Sequence, residues 1–131
     1  MSYLLDTNVC IAFLAGKDSS VREKLLSVAP TEVSLCSVVK AELYYGARRS
    51  AQVERNLDRL AEFFEAFESL PFDDAASAHY GLLRTELESL GTPIGANDLM
   101  LASIALACQA TLVTRNQREF LRVPALAVTS W

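Results

Sequence analysis

One stretch near the start restricts the fold of this chain more than any other. It is a short apolar run that ends abruptly in polar residues, Tyr3-Leu4-Leu5-Asp6-Thr7-Asn8. A continuous apolar run is typical of a strand buried on both faces, as strands are in parallel α/β sheets. In such sheets the functional crevice lies outside the carboxyl ends of the strands. Asp6 is therefore predicted to lie at the edge of a site, with Thr7 or Asn8 capping the apolar helix that follows.

Strands and helices alternate along the rest of the chain. The sequence predicts further strands over 32–36, 70–72, 111–114 and 126–129. It predicts helices after the first strand and over about 20–28, 38–47, 53–67, 74–90 and 98–107, the second of them opened by a capping box at Ser20 and Glu23. Pro71 would place the third strand at a sheet edge. This order indicates a three-layer α/β/α fold with a central parallel sheet of four to five strands.

Length indicates one domain, residues 1–131, and the pattern of the cysteines indicates a protein of the cytoplasm. Asp6 interrupts the early apolar stretch, so no signal peptide is expected. The longest apolar run, Leu99 to Cys108, is about half the length of a membrane span, so no membrane association is expected. The three cysteines are far apart in apolar segments, which favours reduced core thiols over disulfides or metal ligands.

The charge and the histidine content exclude two kinds of site. A net charge of −4 argues against a general nucleic-acid coat, although a local basic patch remains compatible with it. His79 is the lone histidine, so a histidine-rich metal site is not expected. Any metal would have to be held mainly by oxygen atoms.

Several acidic residues fall outside ordinary solvated helix faces. Asp6 ends the first strand, Glu42 lies a turn into the helix after the second strand, and Asp98 opens an apolar helix. Asn116 and Glu119 follow the fourth strand. Each residue alone has an ordinary explanation: Asp6 as a turn former, Asp98 as a helix cap and Glu42 as a surface side chain. Together, at one end of one sheet, the carboxylates would repel one another unless a cation bound them.

Mg²⁺ or Mn²⁺ suits such a cluster, because these hard cations take oxygen ligands and retain water. A divalent cation held by carboxylates in turn suggests phosphoryl chemistry, in which the metal activates water and stabilises the charged transition state.

Four segments in this order and spacing resemble the PIN-domain ribonucleases, and most closely the VapC-type toxins of bacterial toxin–antitoxin pairs. These segments are Leu4-Leu5-Asp6-Thr7-Asn8, Ala41-Glu42-Leu43-Tyr44-Tyr45-Gly46, Gly95-Ala96-Asn97-Asp98-Leu99 and Thr114-Arg115-Asn116-Gln117-Arg118-Glu119-Phe120. Each motif alone is weak, but the four in register are a strong signal, and the resemblance covers essentially the whole chain.

The resemblance implies roles for particular residues. Asp6, Glu42 and Asp98 match the family's ligands for Mg²⁺ or Mn²⁺. The family commonly has a fourth acid after the fourth strand, where this chain has Asn116, so a second metal is in doubt. Glu119 could supply that carboxylate or could pair with Arg115 or Arg118. Supporting polar positions, which would orient ligands or the scissile phosphate, are Thr7, Asn8 and Thr114.

The resemblance also implies an activity and partners. The activity is hydrolysis of RNA by metal-activated water, leaving a 5′-phosphate and a 3′-hydroxyl, with tRNA or other structured RNA as substrate. The expected partners are a second copy of the chain and a small VapB-type antitoxin that inserts a basic side chain near the acids. Tyr44, Tyr45 and the phenylalanines at 63, 64 and 67 could serve the antitoxin, although core packing is an equally ordinary role. Candidate phosphate-binding cations are Lys40, Arg48, Arg49, Arg115 and Arg118.

Three other functions fit the sequence less well. A haloacid-dehalogenase-type phosphohydrolase normally needs a second Asp two residues after the first, where this chain has Asn8. A receiver-like phosphoacceptor would need a lysine after a late strand, where Thr114-Arg115 stands. A degenerate PIN module that binds RNA or protein without cleavage stays open because of Asn116. Asp98→Asn distinguishes it, since only an enzyme would lose cleavage while keeping its fold.

Overall fold

The computed structural model describes residues 1–131 as a five-stranded sheet flanked by helices. The strands are β1 (Tyr3–Leu5), β2 (Val33–Cys36), β3 (Glu68–Leu70), β4 (Thr111–Val113) and β5 (Val128–Thr129). The helices are α1 (Thr7–Ala15), α2 (Ser19–Ser27), α3 (Ser37–Arg48), α4 (Val53–Glu65), α5 (Asp74–Ser89), α6 (Ala96–Cys108) and α7 (Gln117–Phe120), with a 3₁₀ turn at Pro30–Glu32. The predicted α/β class and sheet size are confirmed.

All neighbouring strands are parallel, in the spatial order β3-β2-β1-β4-β5. The central strand β1 pairs with β2 through Leu4 and Ser34, and with β4 through Leu4 and Leu112. Leu4, Leu5 and Leu112 are fully buried, as the apolar pattern of a double-covered strand requires. From β1 the chain first adds β2 and β3 on one side of the sheet and then β4 and β5 on the other. Parallel α/β sheets place their ligand sites where the strand order reverses in this way.

The helices form two groups around the sheet. Contacts link α1 to α2 and α3, and α3 to α4, whereas α5 packs mainly on α6. Because β-α-β crossovers are right-handed, the chain segments from β1 to β3 and the return from β3 to β4 lie on opposite faces. Helix α3 also contacts α6, so the helices that carry Glu42 and Asp98 meet.

The structure corrects several predicted boundaries. The third strand is Glu68–Leu70, two residues earlier than predicted, although it is an edge strand as expected. Asp6, rather than Thr7 or Asn8, caps α1, and Asp18 caps α2 in place of the box at Ser20. Helix α5 ends at Ser89, one residue earlier than predicted, and its C-cap residue Leu90 is 71% exposed. No helix is long and apolar enough to cross a membrane.

Candidate active site

Asp6 is held at the end of β1 by two hydrogen bonds, one to each carboxylate oxygen. The backbone N–H of Thr7 donates to Oδ1 at 2.7 Å, and the Thr114 hydroxyl donates to Oδ2 at 2.7 Å. Asp6 is only 7% exposed, and Thr114 is fully buried. Because β1 and β4 are neighbours, their carboxyl ends bring Asp6 and Thr114 together across 108 residues of sequence. The arrangement fixes the carboxylate while leaving lone pairs on both oxygens.

Glu42 joins this site through Thr7. The Thr7 hydroxyl donates to Glu42 Oε1 at 3.1 Å, so Thr7 contacts one carboxylate with its backbone and another with its side chain. Glu42 lies on α3, which leaves the carboxyl end of the adjacent strand β2. The predicted approach of Asp6 and Glu42 therefore results directly from the pairing of β1 with β2.

Asp98 lies in the first turn of α6 and is half-buried. Its pKa is raised to about 7, mainly because burial removes the carboxylate from water. The negative charge of Glu119 raises the pKa further, followed by smaller contributions from Asp6, a hydrogen bond with Glu119, and Glu42. Glu119, Asp6 and Glu42, which come from separate segments, therefore lie close enough to Asp98 for their charges to affect its pKa.

Glu119 lies beside Asp98 and pairs with neither arginine proposed from the sequence. Its Oε2 accepts a hydrogen bond from the Asn116 amide at 2.8 Å, and its Oε1 accepts one from the backbone N–H of Gly95 at 3.1 Å. Arg115 instead forms an ion pair with Asp18, and Arg118 forms no ion pair. The carboxylate that follows β4 at the site is thus Glu119, with Asn116 orienting it.

A continuous chain of hydrogen bonds connects these positions. From Glu42 it runs through Thr7 to Asp6, and from there to Thr114. The Thr114 hydroxyl also accepts from the backbone N–H of Asn116 at 3.0 Å, which leads on to Glu119. Glu119 ends the chain at Gly95, immediately before the helix that carries Asp98. Four segments of the fold are therefore fixed relative to one another.

The side chains at this edge suit a hard divalent cation chemically. The donors are carboxylate and hydroxyl oxygens, and mutual repulsion among the acids would fall if a cation bound between them. No group of three or more His, Cys, Asp or Glu side chains is, however, already arranged to hold a metal ion. Both oxygens of Asp6 and of Glu119, and the Oε1 atom of Glu42, instead accept hydrogen bonds from donors of the protein.

Other predicted residues lie outside this network. Asn8 is exposed and forms no side-chain hydrogen bond, so its supporting role remains a prediction. Lys40 lies over the Phe64 ring at 4.9 Å, and Arg49 over the Tyr45 ring at 5.2 Å. Arg48 and Arg118 are exposed on the surface.

Two contacts near the site were not predicted from the sequence. One is the backbone N–H of Gly95 on Glu119, which depends on tertiary structure and leaves no sequence signal. The other is the Asp18–Arg115 ion pair, in which Arg115 also donates to the Trp131 carbonyl at 3.3 Å. Asp18 before two serines is a recognisable helix cap, but its charged partner is not visible in sequence.

The PIN-domain family matches residues 3–126 of the chain. This match covers every acidic residue of the site, together with Thr7, Thr114 and Asn116. The fold is therefore that of a PIN domain.

Full-length relatives identify the group within this family to which the chain belongs. Ribonuclease VapC2 of Rickettsia felis is 42% identical over 132 residues, which cover 100% of this chain and 98% of the relative. A tRNA(fMet)-specific endonuclease VapC of Shigella flexneri is 38% identical, with 100% and 98% coverage. The chain belongs to the VapC ribonucleases of the PIN-domain family, which confirms the resemblance found in its motifs.

Solved structures agree with this assignment. VapBC2 from Rickettsia felis, bound to a DNA fragment from its promoter, contains a chain with a TM-score of 0.93 and 41% identity, covering 100% of this chain and 99% of that one. DNA-bound VapBC from Salmonella typhimurium gives a TM-score of 0.94 at 36% identity, with 100% and 98% coverage.

Proposed function

We propose that this chain is the toxin of a type II toxin–antitoxin pair, a metal-dependent endoribonuclease that acts in the cytoplasm as a single PIN domain spanning residues 1–131. The observation that carries the proposal is the acidic edge of the sheet, where hydrogen bonds join Asp6 to Glu42 through Thr7, and where Glu119 and the first-turn residue Asp98 raise the local negative charge. Carboxylates crowded in this way are stabilised by a bound cation. The names of the full-length relatives supply the substrate class, RNA.

Asp6, Asp98 and Glu42 would hold Mg²⁺ or Mn²⁺, with Glu119 as the further carboxylate. When bound, the cation would activate a water molecule and stabilise negative charge on the phosphate. Asn116 is neutral and donates to Glu119, so it contributes orientation rather than charge. We therefore assign the fourth acidic role to Glu119, and Asn116 to its support.

The remaining side chains position these acids. Thr114 and the Thr7 backbone hold the two oxygens of Asp6, so this carboxylate keeps one orientation while substrate binds. The Thr7 hydroxyl does the same for Glu42. Water attacks the phosphate directly, without a covalent protein intermediate, and leaves a 5′-phosphate and a 3′-hydroxyl. Asn8, exposed beside Thr7, is the candidate for contacting the RNA backbone.

tRNA is the proposed substrate, because relatives from Salmonella typhimurium and Shigella flexneri are named tRNA(fMet)-specific endonucleases. The proposed inhibitor is a VapB-type antitoxin, since solved VapBC structures contain chains similar to this one. We also propose that the toxin is a homodimer.

An apolar groove between α1, α3 and α4 offers the antitoxin a place beside the site. The groove has a volume of about 310 Å³ and includes Glu42 among mainly apolar residues, such as Ile11, Leu14, Leu43 and Leu60. An apolar antitoxin segment could fill it and present a cation to Glu42. The aromatic residues considered from the sequence do not line the groove, and Phe63 is buried in the core.

Cleavage of a total tRNA pool by purified, antitoxin-free protein tests this function. We expect discrete fragments with Mg²⁺ or Mn²⁺, and none with EDTA. Asp98→Asn should lower cleavage by at least about 100-fold while retaining the fold, because it removes a proposed metal ligand. Glu62→Gln is the matched control, since Glu62 is exposed on α4 and forms no ion pair. Folded wild-type protein that binds tRNA but never cuts it would favour a non-cleaving PIN module.

A further inference from the structure

An exposed tyrosine of α3, Tyr45, and the exposed C-cap residue of the same helix, Arg49, follow Glu42 along one stripe. Tyr45 is three residues and Arg49 seven residues after Glu42, and this spacing places all three on one helix face. At 1.5 Å per residue, Tyr45 lies about 4.5 Å further along the helix axis, and Arg49 about 10.5 Å. The pair thus extends from the acidic edge along the surface of α3.

The two side chains form a stacked unit that leaves aromatic surface in solvent. The Arg49 guanidinium lies 5.2 Å from the centroid of the Tyr45 ring, and its Nη1 donates to the Tyr45 hydroxyl at 3.3 Å. Tyr45 is nevertheless 63% exposed. Arg49 covers part of the ring, while the tyrosine residue as a whole stays largely accessible.

Arg49 also carries a positive charge that no carboxylate neutralises. The two ion pairs of the structure are Arg84–Glu88 and Arg115–Asp18. In a chain of net charge −4, an unpaired cation about two helical turns from the acidic edge is suited to a phosphate of a bound strand.

We propose that Tyr45 and Arg49 bind an unpaired nucleotide next to the bond that is cut. The base stacks on the exposed part of the Tyr45 ring, and the Arg49 guanidinium neutralises the neighbouring phosphate. Stacking on an aromatic ring accepts any base and requires the base to be out of a duplex. The pair therefore selects single-stranded or loop nucleotides within structured RNA. This inference rests on the proposed ribonuclease function and deepens it.

A second tyrosine–arginine pair provides a matched control within the same chain. On α5, Arg84 donates to the Tyr80 hydroxyl at 3.2 Å with the same four-residue spacing. Arg84 is paired with Glu88, however, and the Tyr80 ring packs against Phe72 at 6.0 Å. With its charge neutralised and its ring partly covered, this pair should not bind RNA.

The test measures steady-state cleavage of tRNA and binding of a probe. The probe is a 10-nucleotide oligouridine RNA with one 2-aminopurine, and a set of such probes places this base at each position in turn. Binding is measured in the Asp98→Asn background, so that the probe is not cleaved. We expect Tyr45→Leu to raise KM by about 5- to 100-fold with little change in kcat. It should also abolish the quenching of 2-aminopurine seen at one position. Tyr45→Phe should retain both properties, and Tyr80→Leu should leave both unchanged.

A salt titration separates the role of Arg49. Arg49→Gln should reduce the slope of log affinity against log salt concentration by about 0.7, the value for one phosphate contact to a single strand. Unchanged KM and quenching in Tyr45→Leu, in protein that still cleaves tRNA, would overturn this inference while leaving the ribonuclease function intact. A Tyr45→Leu effect confined to antitoxin affinity or to oligomer mass would also overturn it, and would assign the pair to a protein interface. Absence of any wild-type cleavage would instead count against the ribonuclease function itself.

Discussion

Thr114 shows how one uncharged side chain determines the geometry of the acidic edge. Its hydroxyl donates to Asp6 and accepts from the backbone of Asn116, and the residue is fully buried. A buried group with both hydrogen-bonding functions engaged is costly to remove, because each partner is left without its bond. The sequence predicted Thr114 as a supporting residue, but its bond to Asp6 depends on strand pairing.

Thr114→Val tests this dependence, because valine keeps the shape of the side chain and removes the hydroxyl. We expect the free energy of unfolding to fall by about 1–3 kcal/mol, since the buried Asp6 carboxylate loses a donor and the partly buried Asn116 N–H loses its acceptor. Cleavage should fall as well. Urea unfolding measures the first effect, and Thr114→Ser should restore most of the loss. A Val variant as stable as wild type would contradict the network.

Asn116→Asp tests whether Glu119 already supplies the fourth carboxylate. The substitution replaces the amide that donates to Glu119 with a second negative charge. We expect the metal-free variant to melt at a lower temperature than wild type, because like charges then face each other. Mg²⁺ should raise its Tm more than it raises that of wild type.

Thermal unfolding with and without Mg²⁺ measures this difference. Asn56→Asp is a suitable control, because the Asn56 amide also donates a hydrogen bond, to Ser50 at 2.8 Å, but lies on α4. If Mg²⁺ raised the Tm of wild type and of Asn116→Asp by the same amount, residue 116 would not lie near the bound cation.

Helix α2 is attached to the end of β4 by a single charged contact. Asp18 caps the helix through the backbone N–H groups of Ser20 and Val21 and forms an ion pair with Arg115. Its pKa is lowered to about 2, first by the hydrogen bond from the Ser20 side chain and then by Arg115. A carboxyl group whose pKa is lower in the folded state stabilises the protein above its unfolded pKa, and loses that effect as the pH falls towards the folded value.

Asp18→Asn isolates the charge, because asparagine is itself a good helix cap. We expect wild type to have the higher Tm above about pH 4, and the difference to narrow as the pH falls from 4 towards 2. Circular dichroism melts over this range measure the effect. A Tm difference that stays constant down to pH 3 would show that the ionised Asp18 does not contribute.

Most elements could be predicted from the sequence, whereas their ends and partners could not. The apolar run at Leu4-Leu5 and the helix after Asp98 are strong local patterns, so their type followed directly. The strand at Glu68–Leu70 has no such pattern, because its position is fixed by pairing with Ser34–Cys36 on β2. Glu119 was a candidate carboxylate from its sequence position, but its hydrogen bonds with Gly95 and Asn116 depend on the folded structure and have no sequence signal.

At the scale of the whole molecule, the strand order explains why such scattered acids meet. β1 lies between β2 and β4, so the segments that follow these three strands share one edge of the sheet. Helix α6 returns the chain to the start of β4, and its first turn brings Asp98 to that edge. The site therefore belongs to the topology as a whole rather than to a local motif.

The bond from Thr114 to Asp6 spans 108 residues, and this has a consequence for synthesis. Asp6 leaves the ribosome early, but the hydroxyl that orients it and the strand that flanks it are made much later. A nascent chain that stops before β4 lacks one neighbour of its central strand, together with Glu119 and its support. If these residues have the roles proposed for them, cleavage competence would arise late in translation, and prematurely terminated chains would be harmless to the RNA of the cell that makes them.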